Sequence, residues 1–437
     1  MHEKTIFALS SGSLPSGVAI IRVSGPAVAD TAEKILGCLP PPRKATFSRF
    51  RHPSTGDLLD EGLSIYFPGP NSFTGEDVLE LQGHGGKASV EAILTALASI
   101  EGLRVAEAGE FSRRAFENNR MDLTELEGLS DLIAAQTEGQ RRQALSQSQG
   151  VLRALYEGWR SDIIQARALI EAELDFADED DVPGSVSDQV WSGVLTLINQ
   201  ISDHLDDGRR GELIREGFSI ALLGPPNAGK SSLLNALARR DVAIVTPQAG
   251  TTRDTIEISM RIGEHLVVIT DTAGLRQTDD EIEREGIKRA VQAARHADLV
   301  VWLSPSDAPA DLPVKLREIP NEQLLTIGTK ADLATSQCEI VVSTVYTNGL
   351  DVFLRELEDR IDKRLGHGES AALSRQRHRF ALNECSNCLR LSIQSKLDLE
   401  LRSEHLRQAG DHLGRLTGRI DVEDLLDVIF SEFCVGK

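Results

Sequence analysis

The 437-residue chain is 41% hydrophobic and 26% charged, and no run approaches the roughly 20 apolar residues that span a bilayer. Its 47 basic and 67 acidic side chains leave a formal net charge of −20, the wrong sign for an autonomous, tight nucleic-acid binder. Five scattered cysteines, and an N-terminus Met1-His2-Glu3-Lys4 with no apolar run behind it, predict a cytoplasmic protein of two or three domains.

Residues 1–120 mix strand patterns at 18–23, 63–67 and 78–82 with proline-rich turns and a helix over 88–100, which predicts an α+β domain. His84, between glycines, reads either as a ligand-orienting group or as a plain turn residue. Residues 121–216 turn helical, with Leu126, Leu129 and Ile133 on one face and Leu152, Leu155, Trp159 and Ile163 on another. The acidic run 178–181 reads as a solvated turn. Residues 217–365 alternate strand and helix, the pattern of a doubly wound α/β domain. Residues 366–437 are helical again, with Asp421 as an N-cap and an apolar face of Leu425, Leu426, Ile429, Phe430 and Phe433. Neither helical stretch has a complete core, so the two are expected to pack together, with the α/β domain inserted between them. The fold class is therefore multidomain α/β and α. Trp159, Trp191 and Trp302 read as core, and Cys385 with Cys388 as two small buried residues one turn apart.

Chemistry concentrates in the α/β domain. Residues 224–231 read Gly-Pro-Pro-Asn-Ala-Gly-Lys-Ser, a phosphate-loop pattern between a buried-strand pattern at 218–223 and a helical one at 231–239. Backbone N–H groups of Asn227, Ala228, Gly229, Lys230, Ser231 and Ser232 would face nucleotide phosphates. Lys230 supplies the charge and the Ser231 hydroxyl a Mg²⁺ ligand. In the loop Thr246, Pro247, Gln248, Ala249, Gly250, Thr251 and Thr252, the last suits Mg²⁺ and the γ-phosphate. A strand at 266–270 leads into Asp271-Thr272-Ala273-Gly274, whose Asp serves the Mg²⁺ shell and whose Gly offers an N–H to the γ-phosphate. Thr329-Lys330-Ala331-Asp332 follows another strand, and Asp332 can accept both donors of the Watson–Crick edge of guanine, which selects GTP. Ser343 and Thr344 are placed for a last contact to the base. Thr329 stands where Asn is usual.

Leu275 follows Gly274, where many small GTPases keep a water-orienting Gln, so hydrolysis needs other groups. Asn227 offers a ligand oxygen to a monovalent cation, with carbonyls of the following loop. Glu283 reads either as the group that holds the attacking water or as surface helix.

The chain ends Phe433-Cys434-Val435-Gly436-Lys437. With residues 21–25 (Ile-Arg-Val-Ser-Gly), the string 68–86 from Pro-Gly-Pro-Asn to Gly-His-Gly-Gly, and 109–116 (Gly-Glu-Phe-Ser-Arg-Arg-Ala-Phe), it resembles the MnmE (TrmE) family of tRNA modification GTPases along its whole length. The resemblance implies an N-terminal folate-binding and dimerisation domain at 1–120, helical parts at 121–216 and 366–437, and a GTPase domain at 217–365. It implies a homodimer that joins the flavoprotein MnmG in a heterotetramer, with tRNA held mainly by MnmG. The reaction implied is K⁺-stimulated GTP hydrolysis, coupled to adding a carboxymethylaminomethyl-type group at C5 of a wobble uridine. A tetrahydrofolate derivative (5-formyl or methylene) would supply one carbon. By the same resemblance Arg22, Glu80, Arg120 and Lys437 match folate contacts. Asn227, Thr246, Gln248 and Thr251 match K⁺ ligands, and Ser231 and Thr252 match Mg²⁺ ligands. Glu283 and Cys434 match catalytic residues. Arg120 departs from the more common Lys, and Pro15-Ser-Gly-Val-Ala-Ile20 thins a glycine-rich opening. Two rivals stay open: a ribosome-assembly GTPase without modification chemistry, and a one-carbon transferase gated by GTP that needs no flavoprotein.

Overall fold

The computed structural model describes residues 4–175, 186–240, 243–244, 256–271, 292, 294–346, 349–366 and 373–420. Over these the chain forms two compact units. The first is Met1–Ser130 with Gln147–Trp191 and Asn387–Lys437; the second is Asp131–Ser146 with Ser192–Ser386.

In the first unit, β1 (Thr5–Leu9), β2 (Ser16–Ser24), β3 (Thr46–Arg51), β4 (Leu58–Phe67), β5 (Val78–Gly85) and β6 (Leu103–Val105) form one sheet in the order β3-β4-β5-β2-β1-β6. Only β1–β6 is parallel. Side chains alternate across a strand, so Ile21, Val23, Leu79 and Leu81 face a core built with α1 (Val28–Leu36) and α2 (Lys87–Ala98). Arg22 and Ser24, one residue out of step, face the other side. There Ile6, Ala8 and Ala106 pack with Phe73 and with Phe111 of α3 (Glu110–Glu117).

A buried ionic cluster pins that second face. Arg114, 1% exposed, donates to Glu76 (3.0 Å), to Glu110 (3.0 Å) and to the Lys4 carbonyl (3.0 Å). The Ser24 hydroxyl donates to Glu76 at 2.9 Å and pairs with Thr74 at 2.7 Å. Burial alone would raise the Glu110 carboxyl, but hydrogen bonds from Arg104, the Glu107 N–H and Arg114 outweigh it and hold it below its ordinary range.

Two further helices, α4 (Leu123–Ala134) and α5 (Glu138–Ser148), follow. The start of α4 is fixed by reciprocal bonds: Asp122 accepts the Glu125 N–H at 2.8 Å, and Glu125 accepts the Asp122 N–H at 2.7 Å. Burial pushes the Asp122 carboxyl up to about 6. Leu126 is buried, whereas Ile133 is 45% exposed, so the expected apolar face does not run the length of α4. In α6 (Val151–Asp175) the buried stripe is Leu152, Tyr156, Trp159 and Ile163, with Tyr156 taking the place expected for Leu155.

The second unit contains most of α7 (Val186–Glu216) and a second sheet. Its strands are β7 (Phe218–Leu223), β8 (Ala243–Ile244), β9 (Ile256–Ile262), β10 (His265–Asp271), β11 (Leu299–Pro305), β12 (Leu324–Thr329) and β13 (Ile340–Val342), ordered β13-β12-β11-β7-β10-β9-β8. The first five in that order pair in parallel, and β9 pairs antiparallel with both β10 and β8. Helices α8 (Lys230–Ala238) and α9 (Leu350–Leu365) cover one face through Leu233, Leu237, Phe353, Leu357 and Ile361. Leu223, Val300 and Trp302 pack with Ala294 and Leu316 on the other. Both faces are therefore covered, as a doubly wound domain requires.

The amino end of α5 straps the β9–β10 turn. The Gly139 N–H donates to the Glu264 carbonyl at 3.0 Å, and Arg142 pairs with the Glu264 carboxylate. Gln140 and Gln143 donate to the Arg215 and Gly211 carbonyls of α7 at 2.9 and 3.1 Å.

The remaining helices are α10 (Gln376–Ser392) and α11 (Leu399–Thr417). Helix α11 packs along α6 within the first unit. Gly418 ends α11 at φ +84°, and a Cβ there would meet Phe116 at 2.5 Å, so only glycine fits. Cys385 and Cys388 are buried in α10, as expected. Trp191 is only half-buried, with the Arg402 guanidinium 3.6 Å from its ring centroid, so it is a stacking platform and not the core residue expected.

Removing Arg114 would leave the Glu76 carboxylate without its cation and Glu110 with Arg104 alone. Arg114→Met is expected to cost about 3–5 kcal/mol, read as faster amide hydrogen exchange in β2 and β5 of the full chain. Unchanged exchange would mean that Arg114 does not hold Glu76 and Glu110 as charged groups.

Candidate functional site: a phosphate loop and a guanine element

Strand β7 lies mid-sheet between β11 and β10, and its carboxyl end opens into the loop that begins α8. Gly224 lets the loop leave close against β11, since a Cβ there would meet the Leu303 carbonyl at 2.7 Å. Asn227 and Gly229 take left-handed dihedrals, φ +61° and +88°. That shape leads the chain into the helix with amides turned to one side, an anion cradle. The Lys230 ammonium folds back over the loop and donates to the Gly224 and Pro225 carbonyls at 2.8 and 3.0 Å. Ser231 is the second residue of α8. Asp271 ends β10 in register with Leu222, beside the root of the loop.

The guanine element closes on the same loop. Thr329, the last residue of β12 and 5% exposed, donates its hydroxyl proton to the Ala228 carbonyl at 2.7 Å. The Thr329 carbonyl accepts from the Ser306 N–H and hydroxyl at 2.8 and 2.7 Å. Lys330 is left-handed, φ +59°, with its ammonium on Asp307 at 2.8 Å. Asp332 accepts the Ser343 hydroxyl at 2.7 Å, and Ser343 is buried directly after β13. The structure thus brings Asn227–Ser232, Lys330, Asp332 and Ser343 together.

Sequence reasoning missed the Thr329–Ala228 bond and the partners Ser306 and Asp307. The signal available for the last two was a polar pair immediately after a mostly apolar strand. Thr246, Pro247, Gln248, Ala249, Gly250, Thr251, Thr252, Thr272, Ala273, Gly274, Glu283, Cys434 and Lys437 lie outside the described residues, as do the side chain of Asp271, the turn 178–181 and the apolar face from Leu425 to Phe433.

In the first unit, Arg22 and Glu80 sit opposite one another on β2 and β5 and form an ion pair, with Nη2 2.9 Å from Oε1. The Arg22 guanidinium lies 5.1 Å from the Phe73 ring centroid and 5.8 Å from that of Phe111. The two residues that the resemblance matches to folate contacts thus form one half-buried pair. Arg120 is exposed, its stem beside Gly75 and Asn118. His84 is not a bare turn residue. Its ring is hydrogen-bonded to Asp60 at 2.7 Å, and that bond raises its pKa.

Residues 5–120 match the model of the GTP-binding protein TrmE N-terminus, and residues 123–434 match that of the MnmE helical domain. The chain belongs to the MnmE family of tRNA modification GTPases. A tRNA modification GTPase MnmE of Brucella anthropi is 51% identical over all of this chain and 98% of its own length. That of Rhizobium meliloti is 54% identical over the whole of both chains. That of Sinorhizobium medicae is 52% identical over 99% of both. As an MnmE-family member the chain is a GTP hydrolase and binds GTP with Mg²⁺. Ser231, at the start of α8, offers the type of oxygen that Mg²⁺ takes. Among the described residues, no helix is long and apolar enough to cross a membrane.

The hydroxyl of Ser343 fixes one oxygen of the Asp332 carboxylate, which the sequence reading assigns to guanine. Ser343→Ala is expected to weaken GTP binding by about fivefold, the worth of one such hydrogen bond, in titration calorimetry with the full chain. An unchanged affinity would detach Asp332 from guanine recognition.

Proposed function

We propose that this chain is a K⁺-stimulated GTP hydrolase that works with the flavoprotein MnmG on tRNA. Together they add a carboxymethylaminomethyl-type group to C5 of the wobble uridine of certain tRNAs. The observation that supports the reading most is the identity above 50%, over the full length, to tRNA modification GTPases. The reading assigns folate binding and homodimerisation to 1–120, the helical domain to 121–216 and 366–437, and GTP hydrolysis to 217–365, in a cytoplasmic protein. With a net charge of −20, tRNA phosphates would be met mainly by MnmG.

The chain's own groups divide the work. Loop amides and the Lys230 ammonium would meet the phosphates, Ser231 with Thr252 and Asp271 would hold Mg²⁺, and Asp332 would read guanine. Glu283 holds the attacking water in line with the γ-phosphate, the task that Leu275 cannot perform. Asn227, with Thr246, Gln248 and Thr251, would hold K⁺, which when bound adds positive charge beside the β- and γ-phosphates. The Arg22–Glu80 pair between Phe73 and Phe111 is a charged, aromatic surface that fits a tetrahydrofolate derivative. Glu80 would accept from its pterin ring, and Arg120 and Lys437 would take its carboxylates. Bound there, it would supply a one-carbon unit. Cys434 belongs to the modification chemistry.

GTP hydrolysis is expected to run faster in K⁺ than in Na⁺. Glu283→Ala should bind GTP as the wild type does and turn it over about a hundredfold more slowly or worse. Equal rates in the two salts would remove the cation from Asn227, and unchanged turnover would return Glu283 to the surface. In cells lacking this chain, the modified wobble uridine should vanish from the mass-spectrometric nucleoside profile of tRNA. The wild-type chain should restore it and Cys434→Ser should not. A profile unchanged by the loss would leave a GTPase without modification chemistry.

A further inference from the structure

We propose that Thr329 is a clasp on the phosphate loop and does not read the base, so that the N7 position of guanine goes unrecognised and Asp332 carries the selection of the nucleotide. The inference rests on the reading that this loop and element bind GTP.

A hydroxyl has one proton to give. That of Thr329 is given to the Ala228 carbonyl at 2.7 Å, at a site where Thr329 is 5% and Ala228 1% exposed. Redirecting the proton to a ligand would leave a buried carbonyl without a donor, which a protein interior penalises. The Thr329 lone pairs can only accept, and N7 of guanine is itself an acceptor. A side-chain amide at this position carries two protons and can serve the loop and the base together. The Thr329 carbonyl is also engaged, taking both the N–H and the hydroxyl of Ser306. The ammonium of the next residue, Lys330, is drawn onto Asp307 at 2.8 Å. Asp332, by contrast, is oriented by Ser343 and keeps lone pairs for the donors of the Watson–Crick edge. The element thus retains a tether to the phosphate cradle and the reading of one edge of guanine.

The test compares GTP with 7-deaza-GTP, in which N7 is replaced by C–H, by titration calorimetry on the full chain. The wild type should bind the two within about twofold of each other. Thr329→Asn should favour GTP by about tenfold, the worth of one recovered hydrogen bond. Thr329→Val, which loses the clasp, should weaken both nucleotides alike, and Thr329→Ser, which keeps the proton, should restore wild-type binding of both. A tenfold preference for GTP in the wild type would overturn the clasp and leave the GTP site intact. Equal binding of the two nucleotides by Thr329→Asn would also overturn it. A wild type that binds neither nucleotide would defeat the GTP-site reading itself, and the clasp with it.

Discussion

The nucleotide site depends on two residues that most side chains could not replace. Asn227 and Gly229 hold the loop in left-handed dihedrals, and only in that shape do its amides face an anion while the chain enters α8. The loop alone carries many backbone dipoles pointing one way, and two polar ties offset that strain. Lys230 bonds the carbonyls at the start of the loop, and Thr329 bonds the carbonyl of Ala228 between the two left-handed residues. The phosphate loop and the Thr329–Asp332 segment are therefore one body, and a change in either is felt by the other.

The parts of this site that the sequence made legible are those governed by local rules. Strand β7 was readable because a buried parallel strand is a continuous apolar run, and its end because glycine marks the turn. Asp332 and Ser343 were readable because each follows the end of a strand in the parallel half of the sheet, where such residues gather. What was not readable is pairing at long range. Nothing near Arg114 announces Glu76, 38 residues away. Nothing near Lys330 announces Asp307, and nothing near Thr329 announces Ala228, 101 residues away. Periodicity gives the face on which a side chain lies, but not what that face meets. Ile133 and Trp191 show this limit: both kept apolar spacing, yet one is exposed and the other stacks under Arg402.

The second face of the first sheet follows a different logic. Burying Arg114 with two carboxylates gains little stability over an apolar core, since desolvation offsets most of the attraction. What the cluster does gain is position. It ties the segment carrying Thr74 and Glu76 to β2 through Ser24 and to α3 through Arg114. Phe73 and Phe111, which flank Arg22, are then held at fixed places beside the Glu80 carboxylate. An apolar replacement would fill the volume but lose that alignment.

The strap of α5 across the β9–β10 turn has a consequence for how this molecule can be cut or grown. Arg142 and Glu264 are 122 residues apart, and the helix that holds the turn is made before any strand of the sheet it serves. A fragment excised at 217–365 would carry all seven strands and still lack the N–H of Gly139, the guanidinium of Arg142 and the amides of Gln140 and Gln143. On the ribosome, the turn meets a partner already synthesised and waiting. The sheet cut out alone would therefore lose the strap on its β9–β10 turn, a fastening written into the chain ahead of it.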